Sequence, residues 1–527
     1  MVRIYIDQTP VDVPEGTTVL DAARCLGIDV PSLCKHPDHP PNTSCMCCLV
    51  KIDDSPRATP SCASVVTEGM RVESETAELH ALRRTGIELL LADHAGDCHA
   101  PCENTCPAHM DIPNMLRHAA EGDFRTALET VKRDIALPAI LGRVCPEVCE
   151  GACRRGRHDS PAAICKIKQY VADVDLGTET PYVPVLAPAS GKSVAIVGGG
   201  ISGTTAAFHL AQRGHRCEIF EAEPELGGRL RTEFDIEALP DDVRRRELAG
   251  VLRMGVAARY EQPVAAAERL EELALAFDCV LLATGRQELP WLAAAGIQAT
   301  SKGVDVNSST RMTSRSGVFA AGNAVRRYAL AVQSVAEGKL VAQCIDCWLR
   351  EVPVPDRRRT FESRLARLSA AEACDFCEGA SPASRMTPAQ FAVGPTPDQV
   401  QAEAERCLAC DCQSLGSCAL HHYAQLYDCD ADRYRGKRGF EGRLEGERVT
   451  LEWGKCIVCG ICVQIAGATP DAGGLAILHR SRRIRIEPAQ GSNLDDALGS
   501  GAEAAVVACP TGALAWKRGA ASCSGSR

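Results

Sequence analysis

The stretch Ser193-Val-Ala-Ile-Val-Gly-Gly-Gly-Ile-Ser-Gly-Thr204 decides the fold of the middle of this chain. Five residues that suit a buried strand run straight into glycines at 198, 200 and 203, and the helical pattern Thr204 to Gln212 follows. A G-x-G-x-x-G run is weak evidence alone. Between a strand and a helix it is strong, because glycines let a pyrophosphate approach the N–H groups at the helix start. Glu221 stands 18 residues after Gly203, at the end of the next strand pattern, Cys217 to Phe220, where a carboxylate can bind a ribose hydroxyl. Around this core, residues 191–350 alternate strand and helix patterns, the mark of an α/β domain. Gly227-Gly228-Arg229, Ala283-Thr284-Gly285 and Gly317-Val318-Phe319-Ala320-Ala321-Gly322-Asn323 complete its glycine-rich turns.

On both sides of this core the cysteines come in blocks. The chain has 527 residues, 29 cysteines and a formal net charge of −10. A chain this long buries cores without disulfide staples. Met1 to Asp12 lacks a basic start and an apolar run, and no apolar stretch reaches membrane-spanning length. A reducing, cytoplasmic setting is therefore expected, in which clustered thiols read as metal ligands. Acidic net charge and few aromatic residues argue against nucleic-acid binding, and Arg357, Arg358 and Arg359 read as a solvated linker.

In the first block, Cys34, Cys45, Cys48 and Cys62 follow C-x10-C-x2-C-x13-C. Four thiolates converging from loops suit two bridged irons, and the x2 pair reads as two ligands of one iron. Val2 to Asp7, Leu49 to Asp53 and Met70 to Glu73 read as strands, and Thr18 to Leu26 as a helix. The run Pro31-Ser32-Leu33-Cys34, Cys45-Met46-Cys47-Cys48-Leu49-Val50, Ser61-Cys62 and Gly69-Met70-Arg71-Val72 resembles the [2Fe-2S] domain that opens the large iron–sulfur subunit of respiratory complex I and related hydrogenase and formate dehydrogenase subunits.

In the second block, Cys106-Pro107 to Asp111-Ile112-Pro113 and Gly142-Arg143-Val144-Cys145-Pro146 resemble the helical domain of the glutamate synthase small subunit and of dihydropyrimidine dehydrogenase. That resemblance implies two [4Fe-4S] clusters. Carried over by position, one would use His94, Cys98, Cys102 and Cys153, with His94 where the family has Cys. The other would use Cys106, Cys145 and Cys149. Its fourth ligand is expected to be Cys165, because Lys168, where the family has a polar residue, is a poor ligand while protonated.

The same resemblance implies FAD on the central fold, with Gly198, Gly200, Gly203, Glu221, Gly228, Arg229, Gly285, Gly322 and Asn323 around it. Asn323 departs from the family's Asp. The family inserts a second, NADPH-binding Rossmann domain after the Ala-Thr-Gly segment. Here only about 30 residues separate Gly285 from Gly317, too few for such a domain.

At the C-terminal end, Cys456, Cys459, Cys462 and Cys509-Pro510 suit one [4Fe-4S] cluster. Cys407, Cys410, Cys412 and Cys418 follow C-x2-C-x1-C-x5-C and read as iron–sulfur, with zinc as the alternative. Cys374 and Cys377 lack clear partners, and the remaining cysteines read as ordinary thiols.

The expected fold class is multidomain α+β and α/β. It comprises a β-grasp-like [2Fe-2S] domain (1–78), an α-helical double-cluster domain (79–177), and a Rossmann-like FAD domain lacking the inserted NAD(P) domain (191–350). A linker (351–400), a C-terminal ferredoxin-like cluster region (401–518) and a disordered tail (519–527) follow. The resemblances imply one [2Fe-2S], three or four [4Fe-4S] and one FAD. They also imply an oxidoreductase subunit that relays electrons between an NAD(P)H-linked flavoprotein and a hydrogenase- or formate dehydrogenase-like catalytic subunit. The alternatives are a self-standing NAD(P)H-dependent reductase and a scaffold with a degenerate flavin fold. No catalytic acid, base or nucleophile stands out.

Overall fold

The computed structural model describes residues 1–286, 290–355, 361–378, 380–434, 439–480, 484–489 and 492–517. Arg357, Arg358 and Arg359 and the tail 519–527 lie outside the described residues. The chain forms two compact units, each built from separated segments. The first comprises Met1–His99, Arg357–Glu378 and Asp411–Arg527; the second comprises Ala100–Asp356 and Gly379–Cys410.

The first unit opens with a mixed five-stranded sheet in the order Thr9–Val13, Val2–Ile6, Arg71–Glu73, Leu49–Ile52, Thr59–Pro60. Val2–Ile6 pairs antiparallel with its hairpin partner and parallel with Arg71–Glu73. Alternation in Val2–Ile6 sends Ile4 and Ile6 into a core with Val19, Leu20 and Ala23 from the helix Val19–Cys25. That helix begins where Thr18 accepts the Asp21 N–H. The helix Ala77–Asp93 follows, capped by Thr76 at its start. Toward the C-terminus, Arg443–Glu445, Val449–Glu452 and Leu514–Trp516 form a three-stranded antiparallel sheet against the helices Ile461–Ala468 and Ala502–Ala508.

The second unit pairs a helical layer with an α/β layer. The helices Ile112–Ala120, Phe124–Lys132, Pro138–Val144 and Ile164–Leu176 share one apolar core. Two of them begin at Asp111 and Asp123, whose carboxylates accept backbone N–H groups in the first turn. The α/β layer is a five-stranded parallel sheet in the order Val318–Ala320, Cys279–Leu282, Ser193–Val197, Arg216–Phe220, Ala257–Arg259. The order reverses beside Ser193–Val197, and ligands of open α/β sheets bind at such a switch point. It is the one parallel sheet of this size among the described residues.

The segment 351–400 departs from the expected linker. It carries the helices Ala370–Phe376, Pro388–Ala392 and Pro397–Ala404, each opened by a reciprocal capping box: Ser369 with Glu372, Thr387 with Gln390, and Thr396 with Gln399. Phe361 and Leu365 are buried. The linear boundaries at 79 and 401 also give way, because residues 79–99 fold with the first unit and 380–410 with the second. Contacts distant in sequence, rather than composition, draw those lines.

Candidate functional site: thiol groups and a dinucleotide cavity

Four cysteines of the first unit are buried: Cys48 and Cys62 in the core of the N-terminal sheet, and Cys34 and Cys45 in the core that holds Leu33 and Ile87. They stand as two pairs. The Cys34 Sγ donates to the Cys45 Sγ at 3.4 Å. A hydrogen bond from Cys62 pushes Cys48 down to about 6, while Cys62 itself is pushed up by the same bond. Two thiol pairs match the two irons of a [2Fe-2S] core. The two cysteines of the x2 spacing, Cys45 and Cys48, fall in different hydrogen-bonded pairs. The left-handed backbone at Met46 turns the chain between them.

At the other end of the first unit, Cys456, Cys459, Cys462 and Cys509 line one small enclosed void together with Ile457 and Ile461. Gly460 takes a left-handed φ of 77° and starts the helix Ile461–Ala468. The Val458 N–H donates to the Cys456 Sγ at 3.3 Å, and the Leu514 N–H to the Cys509 Sγ at 3.4 Å. Such donors favour the charged sulfur of a ligand thiolate. Burial and the facing thiols push Cys462 well above the ordinary thiol range.

In the second unit, Cys106, Cys145, Cys149 and Cys165 surround the Lys168 ammonium. Lys168 is 3% exposed, and its Nζ donates to the Cys165 Sγ at 3.7 Å. Burial opposes its charge, but Cys165, Cys145, Cys149 and Cys106 outweigh burial and raise its pKa. The structure thus brings Cys165 into the group for which a fourth thiol was missing. A second group in this unit joins Cys102 to Cys407, Cys410 and Cys153. Burial first, then these three thiols, push Cys102 far above the ordinary range.

Two expected ligand sets draw on residues of both units. His94 and Cys98 belong to the first unit, whereas Cys102 and Cys153 face Cys407 and Cys410 in the second. Pro101 starts a new helix, Pro101–Thr105, so Cys98 precedes it and Cys102 lies within it. The His94 ring engages the Lys455 carbonyl through Nδ1 at 3.1 Å. The quartet Cys407, Cys410, Cys412, Cys418 is also divided, since Cys412 and Cys418 belong to the first unit with Cys98. Among the described residues, no three His, Cys, Asp or Glu side chains converge on one metal ion.

Sequence reasoning missed the anchor of Cys407. Arg406 is fully buried and donates to the Ala383, Pro161 and Ser160 carbonyls and to Glu403 and Asp159. Its place directly before Cys407 was the only available signal. Lys455, also buried, has its Nζ 2.9 Å from Glu452 and faces Cys412.

The glycine loop of the second unit opens on a cavity of about 990 Å³, lined among others by Gly198, Gly200, Glu221, Gly228, Arg229 and Asn323. This is the upper end of the usual range for ligand pockets. The Glu221 carboxylate accepts the Gly199 N–H at 2.7 Å and the Glu223 N–H at 3.0 Å. Gly200 caps the helix Ile201–Gln212 without a side-chain bond, leaving first-turn N–H groups for a phosphate. The Thr284 Oγ1 is buried, lines the cavity and has no partner in the protein. Gly198 has φ 104°, and a Cβ there would stand 2.5 Å from the Ala283 carbonyl. These features fit a dinucleotide such as FAD. Gly285 also lines the cavity, while Gly203 and Gly322 act by packing: a Cβ at either would collide, with the Gly198 carbonyl or with Ser202. The Asn323 Oδ1 accepts the Tyr328 N–H at 2.9 Å, and Arg229 pairs with Glu233. We expect Gly203→Val to abolish flavin retention, read as loss of the flavin absorbance of the purified chain with its iron content unchanged. Retained flavin would show that this loop does not hold it.

Comparison with known proteins gives three family matches. Residues 1–77 match a family described as a 2Fe-2S iron-sulfur cluster binding domain. Residues 89–180 match dihydropyrimidine dehydrogenase domain II, 4Fe-4S cluster. Residues 163–338 match pyridine nucleotide-disulphide oxidoreductase. The chain is 34% identical over 218 residues to the NADP(+)-dependent formate dehydrogenase subunit beta of Moorella thermoacetica, covering 37% of this chain and 31% of that protein. It is 36% identical over 190 residues to the NADPH-Fe(3+) oxidoreductase subunit beta of Geobacter sulfurreducens, covering 35% and 28%. It is 33% identical over 218 residues to the glutamate synthase [NADPH] small chain of Escherichia coli, covering 40% and 45%. A solved NAD+-reducing [NiFe]-hydrogenase aligns over 18% of this chain and 39% of its own at 33% identity, with a TM-score of 0.17. The chain spans less than half the length of each of these relatives.

Proposed function

We propose that this chain, which carries iron–sulfur and oxidoreductase domains, works as an electron-relay subunit of a redox complex. It would connect an NAD(P)H-linked flavoprotein to a catalytic subunit of hydrogenase or formate dehydrogenase type. When bound, iron–sulfur centres pass single electrons and FAD converts between one- and two-electron steps. The observation that carries the reading is the contiguity of the thiol groups inside each unit. In the first unit, Cys34 is an electrostatic neighbour of Cys459. The Asn42 Nδ2 donates to the Cys459 carbonyl at 2.7 Å, and Gln464 donates to the Asn42 Oδ1 at 3.3 Å. These bonds hold the loop after Cys34 against the loop that presents Cys459. In the second unit, Ile201, Leu330 and Ala331, which line the dinucleotide cavity, pack into the same core as Cys106, Cys149 and Cys165.

The ligand sets we assign are Cys34, Cys45, Cys48 and Cys62 for [2Fe-2S]. For [4Fe-4S] they are Cys106, Cys145, Cys149 and Cys165; Cys102, Cys153, Cys407 and Cys410; and Cys456, Cys459, Cys462 and Cys509. A single parallel sheet among the described residues supports one dinucleotide site in the chain, so that hydride enters elsewhere in the complex. The test is the purified, cluster-loaded chain with NADH or NADPH and an artificial dye. Negligible dye reduction, with clusters that still accept electrons from dithionite, is the expected result. Rapid NAD(P)H-dependent reduction by the chain alone would overturn the relay reading in favour of a self-standing reductase.

A further inference from the structure

Among the first-unit thiols outside these four sets, Cys98, Cys412 and Cys418 are neighbours of one another. We propose that they form a further iron–sulfur site, held by three cysteines and leaving one iron of its core that no cysteine reaches. The inference rests on the iron–sulfur reading above and adds a centre to it.

The three residues come from two segments far apart in sequence, and the fold ties those segments together at the sulfur atoms. The Cys412 N–H donates to the Cys98 carbonyl at 3.1 Å. The Ser363 N–H donates to the Cys98 Sγ at 3.4 Å, and the His421 N–H to the Cys418 Sγ at 3.4 Å. Backbone N–H groups aimed at sulfur also mark Cys456 and Cys509 in the C-terminal group. Cys98 is 6% exposed and Cys418 is 8% exposed, and both lie in one core with Leu420, Phe361 and Leu451. Cys98 counts Cys412 and Cys418 among its electrostatic neighbours, and Cys412 has the buried Lys455 ammonium beside it. All three are free thiols. Neither family match that covers Cys98 or its surroundings extends to Cys412 or Cys418.

The setting suits three thiolates whose charge is balanced by iron and by Lys455. Each ligand forms by exchange, an S–H bond giving way to an S–Fe bond with release of one proton to solvent. Iron and sulfide are supplied by cluster assembly in the cell, or as ferrous iron and inorganic sulfide in the tube. The site also has a place in the relay, because Cys418 is an electrostatic neighbour of Cys509 and its Sγ lies 3.6 Å from the Pro510 carbonyl. It would continue the series that begins at Cys34 and passes Cys459.

The experiment is anaerobic reconstitution of the full chain with ferrous iron and sulfide, for the parent and for Cys98→Ser and Cys412→Ser. Iron and acid-labile sulfide are counted, and the reduced [2Fe-2S] paramagnetic signal is recorded as a check that the first unit is folded. Each variant is expected to lose about four irons per chain while that signal stays. Cys374→Ser, an exposed thiol outside every set, is expected to lose none. A second measurement needs no variant: an iron without a cysteine is readily lost, so mild ferricyanide oxidation of the parent should convert one cluster to a three-iron form with its own paramagnetic signal. Unchanged iron in both variants, or no three-iron signal from the parent, would overturn the site and leave the relay reading standing. A parent that takes up no iron would remove both.

Discussion

Replacing Arg406 with alanine is expected to destabilise the second unit by about 3–5 kcal/mol, the usual cost of leaving one member of a buried ion pair alone. Glu403 is as buried as Arg406, and its carboxylate lies 3.0 Å from the guanidinium. The remaining carboxylate would keep only the Ala163 and Met386 N–H groups. The same guanidinium clips Ser160 and Pro161 to Ala383, so its loss frees the segment that presents Cys407 and Cys410. Arg155 completes the clip by donating to the Arg406 and Ser381 carbonyls at 3.0 and 2.7 Å. Asp159 is held well below the usual carboxylate range, first by Arg155 and also by Arg406. Arg406→Lys should rescue little, because an ammonium cannot reproduce the planar fork that meets five acceptors. Hydrogen exchange read over residues 380–410 checks this directly. Protection in that segment is expected to fall in Arg406→Ala while the parallel sheet keeps its own. Unchanged exchange and an unchanged unfolding midpoint would show that the clip is dispensable.

Lys168→Met is expected to lower the reduction potential of the centre held by Cys106, Cys145, Cys149 and Cys165. A buried cation favours the more negative, reduced state of a neighbouring cluster. One unit charge about 7–10 Å away at an effective dielectric of about 20 is worth roughly 1.5–2.5 kcal/mol, or about 60–100 mV for a one-electron couple. Burial opposes the Lys168 charge, and Cys165, Cys145, Cys149 and Cys106 act the other way and raise its pKa. Methionine keeps most of the side-chain volume, which separates charge from packing. A redox titration followed by electron paramagnetic resonance reads the shift, and Lys168→Arg, which keeps the charge, should stay nearer the parent. Equal potentials in the parent and in Lys168→Met would rule out the electrostatic role.

Much of the candidate site was legible in order along the chain. The strand and glycine loop at 193–203 stand where their pattern put them, and Glu221 meets the loop through the Gly199 N–H. The helix read over Thr18 to Leu26 stands as Val19–Cys25 and begins at Thr18. The segment 351–400 was misread although its three capping boxes were in plain view, because its proline and charge content outweighed them. Lys168 was set aside as a poor ligand, yet its burial among four thiols makes it the main fixed charge of that group.

The sequence by itself determined which residues are chemically fit to bind iron and a dinucleotide. Local spacing controls which thiols share a turn, and strand and helix periods control which side chains face a core. Only the tertiary structure decided partnership. It parted Cys98 from Cys102 across the helix start at Pro101, and Cys410 from Cys412 across a single residue, and it gave each a partner hundreds of positions away. The physical reason is that a cluster's ligands are chosen by closeness in space. Closeness between distant segments is set by which buried faces pack and which buried charges pair, as at Arg406, and no local pattern encodes that.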